Sequence, residues 1–389
     1  MEGKKNILVL VSRFLDGGID TVLVEYLNNL SRLTEHKVTL AIMLCMDELE
    51  VYRHRISQDV EVKYLVDSHS LTWYKQNVQR GKRNALFGLY DEMLLNPIRR
   101  RQAQRRLDAL AKENDVVIDF DSCFSSFVRK EWKARKIAFF HFSFKKELER
   151  KPRRIKRFRK RISKYDRVVT ISDAMLEEGR ELFPEYSDKF ARIYNSVNPA
   201  ELERKAECDI NASKPYLLAV ERLEENQKDI SNLIDAYAIL RDRMGDNAPL
   251  LYLIGKGKDE QMLRHKAMTK GLGESIVFLG FQSNPYPWIK NANIIVHSAK
   301  FEGLPTVLIE SLLLGKLIIS TDCPTGPSEI LNQGKAGVLV PVGNSEAFAD
   351  AMGRVLSDKV LQGELLAEGR KHRDLFLPEN NIRLLERLF

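Results

Sequence analysis

Short runs rich in β-branched residues alternate with longer helical stretches, and this alternation limits the possible folds more than any other property of the chain. In the first half the runs are Ile7–Val11, Val38–Leu44, Val60–Val66, Asp115–Phe120, Ile137–His141, Asp166–Ile171 and Phe190–Tyr194. In the second half they are Tyr216–Val220, Leu250–Ile254, Ile276–Leu279, Asn293–His297, Leu317–Thr321 and Gly337–Val340. Strands that alternate with helices predict parallel sheets, and two series predict two doubly wound α/β domains. The turn-rich stretch 195–199 marks the join.

Length and composition agree with two globular domains. The chain has 389 residues, more than one typical core accommodates, and 44% of them are hydrophobic. No apolar run approaches the roughly 20 residues of a membrane-spanning helix. The first apolar run lacks a cleavage pattern, so we expect a strand there and not a signal peptide. The four cysteines are widely scattered, which favours a reducing cytoplasm over disulfides or a metal site.

The segment 301–315 holds two carboxylates eight residues apart, Glu302 and Glu310. Most of the second half of this segment is apolar, which predicts a buried helix. Pro305 fits the first turn of that helix and Gly315 its end. A buried Glu310 has to be paired or hydrogen-bonded. Glu302 precedes the helix start, where unpaired backbone amides and the helix dipole favour an anion.

Cations and glycines follow several predicted strands. Arg222 and Lys228 come after Tyr216–Val220, where their charges suit a diphosphate, although solvated loop cations have the same pattern. Gly17-Gly18 and Gly255-Lys256-Gly257 follow two other strands and allow a ligand close to the backbone. Turns without any ligand have the same glycine pattern. The Gly17-Gly18 pair also lacks both the full dinucleotide fingerprint and a Walker lysine. These signals carry weight only in combination.

Polar residues also end two inner strands of the first series. His141 ends one of them and is either a structural hydrogen-bond partner or a residue of a ligand pocket. Asp119 and Asp121 end another. An Asp-x-Asp triplet can hold a divalent metal beside a nucleotide diphosphate. Alternate residues of a strand share a face, and we expect these two to hydrogen-bond the strand end and not to bind a metal.

Positive charge concentrates in two stretches of a chain whose formal net charge is +8. One is Lys145–Lys164, in which Ile155, Phe158 and Ile162 recur at helical spacing, and the other is Arg99–Arg106. A basic amphipathic helix predicts contact with an anionic membrane surface. The alternative is a solvated helix whose apolar stripe faces the core. No recognition motif accompanies the charge, so nucleic acid is not an expected partner.

In combination, these residues resemble the retaining GT-B glycosyltransferases of family 4. The resemblance is specific over about residues 215–345. Its pieces occur in the family's order: Arg222–Asp229, Leu253–Gly257, Val277–Phe281, the Glu302 and Glu310 pair, Gly315 and Asp322–Ile330. The first half matches loosely, through Gly17-Gly18, His141 and the interdomain turn Asn195–Asn198.

The resemblance implies two Rossmann-like domains that face a central cleft, with a nucleotide-sugar donor held mainly by the second. Glu310 would accept hydrogen bonds from the ribose hydroxyls, and Glu302 would bind the sugar. The other donor-binding residues would be Gly17, Gly18, Arg222, Lys228, Gly255, Gly257, Phe281 and the amides of Gly303, Leu304 and Thr306. The residues expected at the reaction centre are Glu302, His141, Arg222 and Lys228. The two cations would stabilise the diphosphate, so neither a metal nor another cofactor is implied.

The chain departs from the family pattern at several of these positions. Glu221 stands where the family often has glycine, and the loop from Arg222 to Lys228 is one residue longer than usual. Leu304-Pro305 replaces the more usual Phe-Gly, so Pro305 removes one amide donor. Asp20 replaces the glutamate that usually follows the paired glycines.

The sequence therefore predicts an acceptor-binding domain at 1–198, a donor-binding domain at 199–370 and a helical segment at 371–389 that crosses back to the first domain. The expected activity is retaining transfer of a hexose or N-acetylhexosamine, from a UDP-linked donor, to a bacterial surface glycan or lipid-linked acceptor. The expected location is the inner face of the cytoplasmic membrane. The alternatives are a non-catalytic GT-B scaffold subunit and a GT-B sugar-nucleotide epimerase or phosphorylase.

Overall fold

The structure, a computed structural model, describes residues 3–15, 17–212 and 215–389. Contacts group the chain into two compact units, which are treated separately below. Unit 1 holds the residues up to Ile171 together with Leu176–Ser196 and Asn381–Phe389. Unit 2 holds Ser172–Met175 and Val197–Asn380. The three domain ranges given by the sequence stay predictions beside this grouping.

Unit 1 is built on a parallel sheet. Its described strands are β1 (Asn6–Val11), β2 (Lys37–Leu44), β3 (Glu61–Val66), β4 (Val116–Asp119), β5 (Arg135–Phe140), β6 (Arg167–Thr170) and β7 (Phe190–Arg192). They lie in the order β3-β2-β1-β4-β5-β6-β7, with Val9 of β1 opposite Leu40 of β2 and Ile118 of β4. The inner strands are buried on both faces, which explains their nearly continuous apolar sequences.

Unit 2 carries a second parallel sheet. Its described strands are β8 (Tyr216–Val220), β9 (Leu250–Ile254), β10 (Ile276–Gly280), β11 (Ile294–His297), β12 (Leu317–Thr321) and β13 (Val338–Val340). The order β10-β9-β8-β11-β12-β13 is that of a doubly wound sheet, and it reverses between β8 and β11. The predicted α/β class with two Rossmann-like sheets is confirmed.

Helices follow most of the strands. The first helices are α1 (Gly18–Leu33), α2 (His69–Gln79), α3 (Ala85–Tyr90), α4 (Asn96–Glu113), α5 (Phe144–Arg150), α6 (Ile155–Ile162), α7 (Asp173–Leu182) and α8 (Pro199–Ala206). The later ones are α9 (Glu225–Lys228), α10 (Ile230–Met244), α11 (Glu260–Thr269), α12 (Tyr286–Asn291), α13 (Thr306–Leu313), α14 (Pro327–Ile330), α15 (Ser345–Ser357), α16 (Lys359–His372) and α17 (Pro378–Glu386). A π-helical turn, Asp91–Leu95, joins α3 to α4. Short 3-10 turns lie at Asp47–Leu49, Arg53–Arg55, Pro152–Arg154, Pro184–Lys189, Gly245–Asn247 and Arg373–Phe376.

The last helix, α17, packs into unit 1. Ile382 and Leu385 are buried in the core cluster of that unit. The Asn381 side chain accepts a hydrogen bond from the Tyr194 amide at 3.1 Å, and the Leu388 carbonyl accepts one from Arg135 Nε at 3.1 Å. The end of the chain is therefore fixed by both apolar burial and hydrogen bonds.

The basic stretch 145–164 is not one helix. It forms α5 and α6, separated by the 3-10 turn that begins at Pro152. Proline lacks an amide hydrogen and disfavours helical backbone at the residue before it. Lys151 accordingly has an extended φ of −145° and a ψ of 76°. The basic amphipathic helix that Ile155, Phe158 and Ile162 predict is α6, and the residues before Pro152 form a separate helix.

Candidate functional site

Four buried ionisable side chains meet in unit 2 beyond the carboxyl ends of β8 and β11. Glu221 follows β8 directly, and His297 is the last residue of β11. Lys228 ends the short helix α9, and Glu302 lies in the loop before α13. Because β8 and β11 flank the reversal of strand order, this is the position at which doubly wound sheets bind ligands.

Carboxylates and nitrogen-bearing side chains alternate around this cluster. Lys228 Nζ lies 2.5 Å from Glu302 Oε1 and 3.9 Å from Glu221 Oε2. His297 bridges the same two carboxylates, with Nδ1 3.3 Å from Glu221 Oε2 and Nε2 3.3 Å from Glu302 Oε1. Two negative charges are therefore held between one ammonium group and one imidazole.

The pKa values of Glu302, Lys228 and His297 move toward the charged forms. Burial by itself would raise the pKa of Glu302, but the Lys228 ammonium and the His297 imidazole outweigh it and lower that pKa to about 2. Burial would lower the pKa of Lys228 and of His297, yet the carboxylates of Glu302 and Glu221 raise both. Glu302 is consequently an ionised hydrogen-bond acceptor and not a proton donor.

The contacts of Glu221 and His297 are close but poorly aligned. Among the described residues, three atoms of this cluster make no hydrogen bond of acceptable geometry. They are the two carboxylate oxygens of Glu221 and the Nε2 of His297. A buried carboxylate without such bonds depends on nearby positive charge for compensation. Glu221 is thus held by Lys228 and His297 mainly through charge.

Arg222 is an exposed cation of the site. Its side chain is 61% exposed, and it donates a hydrogen bond to Gln227 Oε1 at 2.9 Å. The Gln227 carbonyl in turn accepts from the Lys300 amide at 2.7 Å, which ties the loop to the segment before Glu302. Unlike Lys228, Arg222 can therefore meet an anionic ligand without giving up a buried partner.

Gly255 and Gly257 bring two loops into backbone contact. A Cβ atom at Gly255 would lie 1.9 Å from the Glu221 carbonyl oxygen, and one at Gly257 would lie 2.2 Å from that of Leu223. Gly255 also has a φ of 146°, which L side chains rarely adopt. Both glycines are explained by packing against the loop that carries Glu221 and Arg222. Their proposed contact with a donor stays a prediction.

Helix α13 holds the second carboxylate of the predicted pair. Glu310 is buried, and Tyr286 donates a hydrogen bond to its Oε1 at 3.4 Å. The helix ends at Leu313 and is terminated by Gly315, whose φ is 65° and whose amide donates to the Leu312 carbonyl at 3.1 Å. The Lys316 amide donates to Ser311 at 2.9 Å, which completes a Schellman cap. The predicted helix end at Gly315 is confirmed.

The loop before α13 presents backbone amides. Pro305 is the N-cap of α13, with φ −68° and ψ 109°, so it lies one position before the first turn in which the sequence predicted it. Within the part of the chain that the structure describes, the amides of Gly303, Leu304 and Thr306 donate no hydrogen bond. These amides and the helix dipole favour an anion or a hydroxyl oxygen at this end of the helix.

Phe281 lies just past the end of β10. Its ring is 43% exposed, and Lys256 Nζ lies 4.8 Å from the ring centroid. Lys256 stands between the two close-packed glycines, so the ring flanks the loop that follows β9. An exposed aromatic face in this position can stack on a flat ligand group.

Three predicted site residues belong to unit 1. Gly17 caps α1, and its amide already donates to Asp20 Oδ2 at 2.8 Å, while Gly18 is the exposed first residue of that helix. His141 Nε2 lies 2.7 Å from the Phe120 carbonyl oxygen. Burial lowers the pKa of His141 to about 4, so its imidazole is neutral near pH 7. The structure thus places these residues in one unit and the remaining candidates in the other.

The Asp119 and Asp121 carboxylates are occupied by hydrogen bonds. Asp119 accepts from the Phe124 amide at 2.9 Å, and Asp121 accepts from the Ser12 amide at 2.8 Å. Across residues 3–15, 17–212 and 215–389, no group of three or more His, Cys, Asp or Glu side chains is arranged to hold a metal ion. The two aspartates join strand ends together.

The predicted basic surface is present only in part. Phe158 and Ile162 of α6 are buried, so the apolar stripe faces the core as in the alternative interpretation. Arg99 is buried as well and pairs with Asp91 at 2.7 Å, so it cannot contribute to an exposed cluster. The exposed cations described in the longer stretch are Lys145, Lys151, Arg153, Lys156, Arg157, Arg159 and Lys160. No helix of the described residues is long and apolar enough to cross a membrane.

Sequence reasoning missed the contribution of Glu221 and His297. Glu221 was noted only as a departure from a glycine, and His297 only as the end of a strand. The two residues meet because β8 pairs with β11, with Leu218 opposite Ile295. The sequence did show a charged residue after one inner strand and a histidine at the end of another. It did not show that these two strands are neighbours in the sheet.

The contact of His297 with its carboxylates gives a specific pH dependence. A raised folded-state pKa means that the contact stabilises the fold fully below the ordinary histidine pKa of about 6.5 and less as pH rises through the raised value. We therefore expect the loss of unfolding free energy in His297→Gln to shrink as the pH increases above neutrality. Urea unfolding at a series of pH values measures it, with the exposed His265→Gln as control. A loss that stays constant or grows with pH would contradict the assignment.

Both halves of the chain match families of glycosyltransferases. Residues 16–201 match the family model described as Glycosyltransferase Family 4, and residues 201–372 match the one described as Glycosyl transferases group 1. An N-acetylgalactosaminyltransferase from Campylobacter jejuni, which acts on a diphospho-undecaprenol-linked sugar, is 30% identical over 201 residues, 51% of this chain and 53% of that protein. The lipopolysaccharide 1,6-galactosyltransferase of Salmonella typhimurium is 29% identical over 169 residues, 42% of this chain and 46% of its own length. The chain spans about half the length of these relatives.

Solved structures match over nearly the whole chain. Anabaena Alr3699/HepE in complex with UDP and glucose has a TM-score of 0.73 at 14% identity, and the match covers 99% of this chain and 98% of that one. The apo form of the lipopolysaccharide outer core galactosyltransferase WaaB has a TM-score of 0.67 at 19% identity, with 98% of each chain covered. At such identities the likeness shows the fold alone, which is that of the GT-B glycosyltransferases.

Proposed function

Because the chain belongs to the family 4-like GT-B glycosyltransferases, we propose that it transfers a hexose or N-acetylhexosamine from a nucleotide sugar to a surface glycan or a lipid-linked acceptor. The observation that carries this proposal is the ionised cluster around Glu302, at the reversal of strand order and next to the free amides before α13. The relatives whose names describe transfer to lipopolysaccharide or to a diphospho-undecaprenol-linked sugar support the acceptor class.

The proposed donor is UDP-linked and lies in unit 2. Glu310, a buried carboxylate on the helix that follows the free amides, would accept hydrogen bonds from the ribose hydroxyls. Glu302 and the amides of Gly303, Leu304 and Thr306 would bind the sugar. The solved UDP complex of a protein with this fold supports the choice of nucleotide.

The proposed chemistry rests on charge stabilisation. The bond between the anomeric carbon and the diphosphate oxygen breaks, and negative charge develops on the diphosphate. Arg222, with Lys228 behind it, would stabilise that charge without a metal, because preorganised cations lower such a barrier most effectively. The acceptor oxygen would attack from the same face and give its proton to the departing phosphate, which retains the anomeric configuration.

Glu302 is assigned to binding and not to nucleophilic attack. Its carboxylate oxygen is already held by Lys228 at 2.5 Å and by His297 at 3.3 Å. These contacts lower its pKa to about 2, which stabilises the carboxylate and makes it a weak nucleophile. A hydrogen bond from a sugar hydroxyl fits this environment better.

The proposed location is the inner face of the cytoplasmic membrane. Exposed cations of α6 and the preceding turn suit anionic lipid headgroups. All four cysteines are free, in agreement with a reducing compartment. The membrane contact proposed for these cations is peripheral and electrostatic.

A thermal-shift screen against nucleotide sugars, followed by transfer assays with the best ligand, tests the proposed function. We expect one UDP-hexose or UDP-N-acetylhexosamine to raise the melting temperature and its sugar to appear on an added lipid-linked acceptor. Nuclear magnetic resonance of the product reports the anomeric configuration. Binding without transfer or hydrolysis would favour a scaffold subunit, and release of an isomerised nucleotide sugar would favour an epimerase.

A further inference from the structure

One stretch of unit 1 presents large apolar side chains to solvent. Of the eight large apolar side chains at least half exposed among the described residues, six lie between residues 86 and 98. They are Leu86, Leu89, Tyr90, Met93, Leu94 and Ile98, with exposures up to 81%. Helices of globular proteins normally turn such residues to the core, and a contiguous exposed group marks an interaction surface. These six residues are called the apolar face below.

The apolar face lies on a continuous helical segment formed by α3, the π-helical turn and the start of α4. Buried ion pairs fix this segment to the body of unit 1. Asp91 lies 2.7 Å from Arg99 and 2.9 Å from Lys75 of α2. Arg99 also donates to the Leu71 carbonyl at 2.7 Å. The polar side of the segment is thereby turned inward, and the apolar side is left outward.

Exposed cations stand at both ends of the apolar face. Lys82 and Arg83 precede it, and Arg101 and Arg105 follow it. Within the described residues none of these four forms an ion pair, and the exposed carboxylate between them is that of Glu92. An apolar surface flanked by cations is complementary to a bilayer with anionic headgroups and not to a typical protein surface.

The size of the apolar face fits the interfacial region of a bilayer. Leu86 and Ile98 are twelve positions apart along the helix, which is a length of about 18 Å. A helix this short cannot span a hydrocarbon core of about 30 Å. It can lie in the plane of the membrane with its apolar side chains among the headgroups and upper acyl chains.

The apolar face also lies near the basic stretch. Arg100 of α4 donates to Ser126 Oγ at 3.2 Å, and Lys164, just after α6, donates to the adjacent Ser125 carbonyl at 2.6 Å. The loop at residues 125–126 thus touches both the end of the apolar face and the end of the basic helix. Cations of α6 and the apolar face can contribute to one membrane-facing surface.

We propose that the apolar face inserts into the interface of an anionic phospholipid bilayer and that the cations around it bind the headgroups. The proposal rests on the proposed function, because transfer to a lipid-linked acceptor brings the enzyme to a membrane. It goes further by assigning attachment to apolar insertion by residues 86–98, whereas the basic stretch supplies only charge.

Vesicle sedimentation with the full chain tests this proposal. The test variant is Leu86→Gln/Met93→Gln/Leu94→Gln, and the control is Met268→Gln/Val360→Gln, which changes the other two highly exposed apolar residues. With vesicles of phosphatidylglycerol and phosphatidylethanolamine, we expect the test variant to bind about 1,000-fold more weakly, since each of the three inserted side chains contributes roughly tenfold. The control is expected to bind like the wild type.

Two further measurements separate the possible outcomes. In Leu89→Trp, acyl-chain-brominated lipids should quench the added fluorescence, and Arg101→Glu/Arg105→Glu should make binding weaker and less dependent on salt. Undiminished vesicle binding by the Gln variant, or a wild-type dimer that this variant dissociates, would overturn the proposal. Vesicle binding by a protein that binds no nucleotide sugar would instead contradict the proposed function and leave membrane insertion supported.

Discussion

Replacing Arg222 by methionine is expected to lower kcat for sugar transfer by about 100-fold to 1,000-fold, the usual effect of removing one preorganised donor at a developing charge. The same change should leave the melting temperature nearly unaltered, because the side chain is 61% exposed and leaves no buried partner behind. Steady-state transfer rates and thermal unfolding of the same preparation measure the two effects.

Lys228→Met provides the contrast to Arg222→Met. Removing Lys228 takes away the ammonium group 2.5 Å from Glu302 and leaves two buried carboxylates with less compensation. Breaking a buried pair in this way costs about 3–5 kcal/mol of stability, so we expect activity and melting temperature to fall together. An Arg222→Met enzyme with normal turnover would show that the diphosphate lies elsewhere.

Replacing Glu310 by alanine is expected to weaken donor binding by at least about 100-fold, because a carboxylate that accepts two hydroxyl hydrogen bonds contributes roughly 1.5–3 kcal/mol for each. Tyr286 loses its 3.4 Å hydrogen bond to Glu310 in the variant but keeps its contact with Lys205, whose Nζ lies 5.9 Å from the ring centroid. Isothermal titration with the nucleotide sugar measures the affinity.

The matched control for this prediction is Glu364→Ala, at an exposed position of α16. It removes the same carboxylate from a helix without touching the site, and its donor affinity should equal that of the wild type. If Glu310→Ala bound the donor normally, the ribose assignment would be wrong, even if the chain still transferred sugar.

Much of the fold can be predicted from the sequence because local patterns specify it. The β-branched runs correspond to strands β1–β13, and Gly315 ends α13 as its position after an apolar helix predicts. Gly255 and Gly257 are found where two strand-end loops touch, which only residues without a Cβ allow. These signals lie within a few residues of the structure that they specify.

Contacts between distant strands cannot be predicted in this way. Glu221 and His297 are far apart in the sequence and meet only because β8 lies beside β11. The spacing of apolar residues along a helix also does not show whether the apolar side packs against protein or against another surface. The spacing of Phe158 and Ile162 is equally suited to lipid and to a protein core, and the structure buries both residues.

The apolar face is a second case in which helical spacing does not show which side of a helix is covered, and here the apolar side is exposed. Leu86, Met93 and Leu94 have the apolar character and helical spacing of ordinary helix-core residues. They are nevertheless among the most exposed apolar side chains of the described chain. The buried pair of Asp91 and Arg99 decides the matter, because it turns the polar side of the segment inward. The sequence alone does not indicate that either of these charged residues is buried.

A crystal structure with a bound UDP-sugar is the most direct test of the central claim that unit 2 holds a nucleotide-sugar donor. The account predicts ribose hydroxyls about 2.7 Å from the Glu310 carboxylate, as in a charge-assisted hydrogen bond. It also predicts the diphosphate against Arg222 and a sugar hydroxyl on Glu302. A nucleotide bound away from Glu310, with the cluster of Glu302 and Lys228 left untouched, would contradict it.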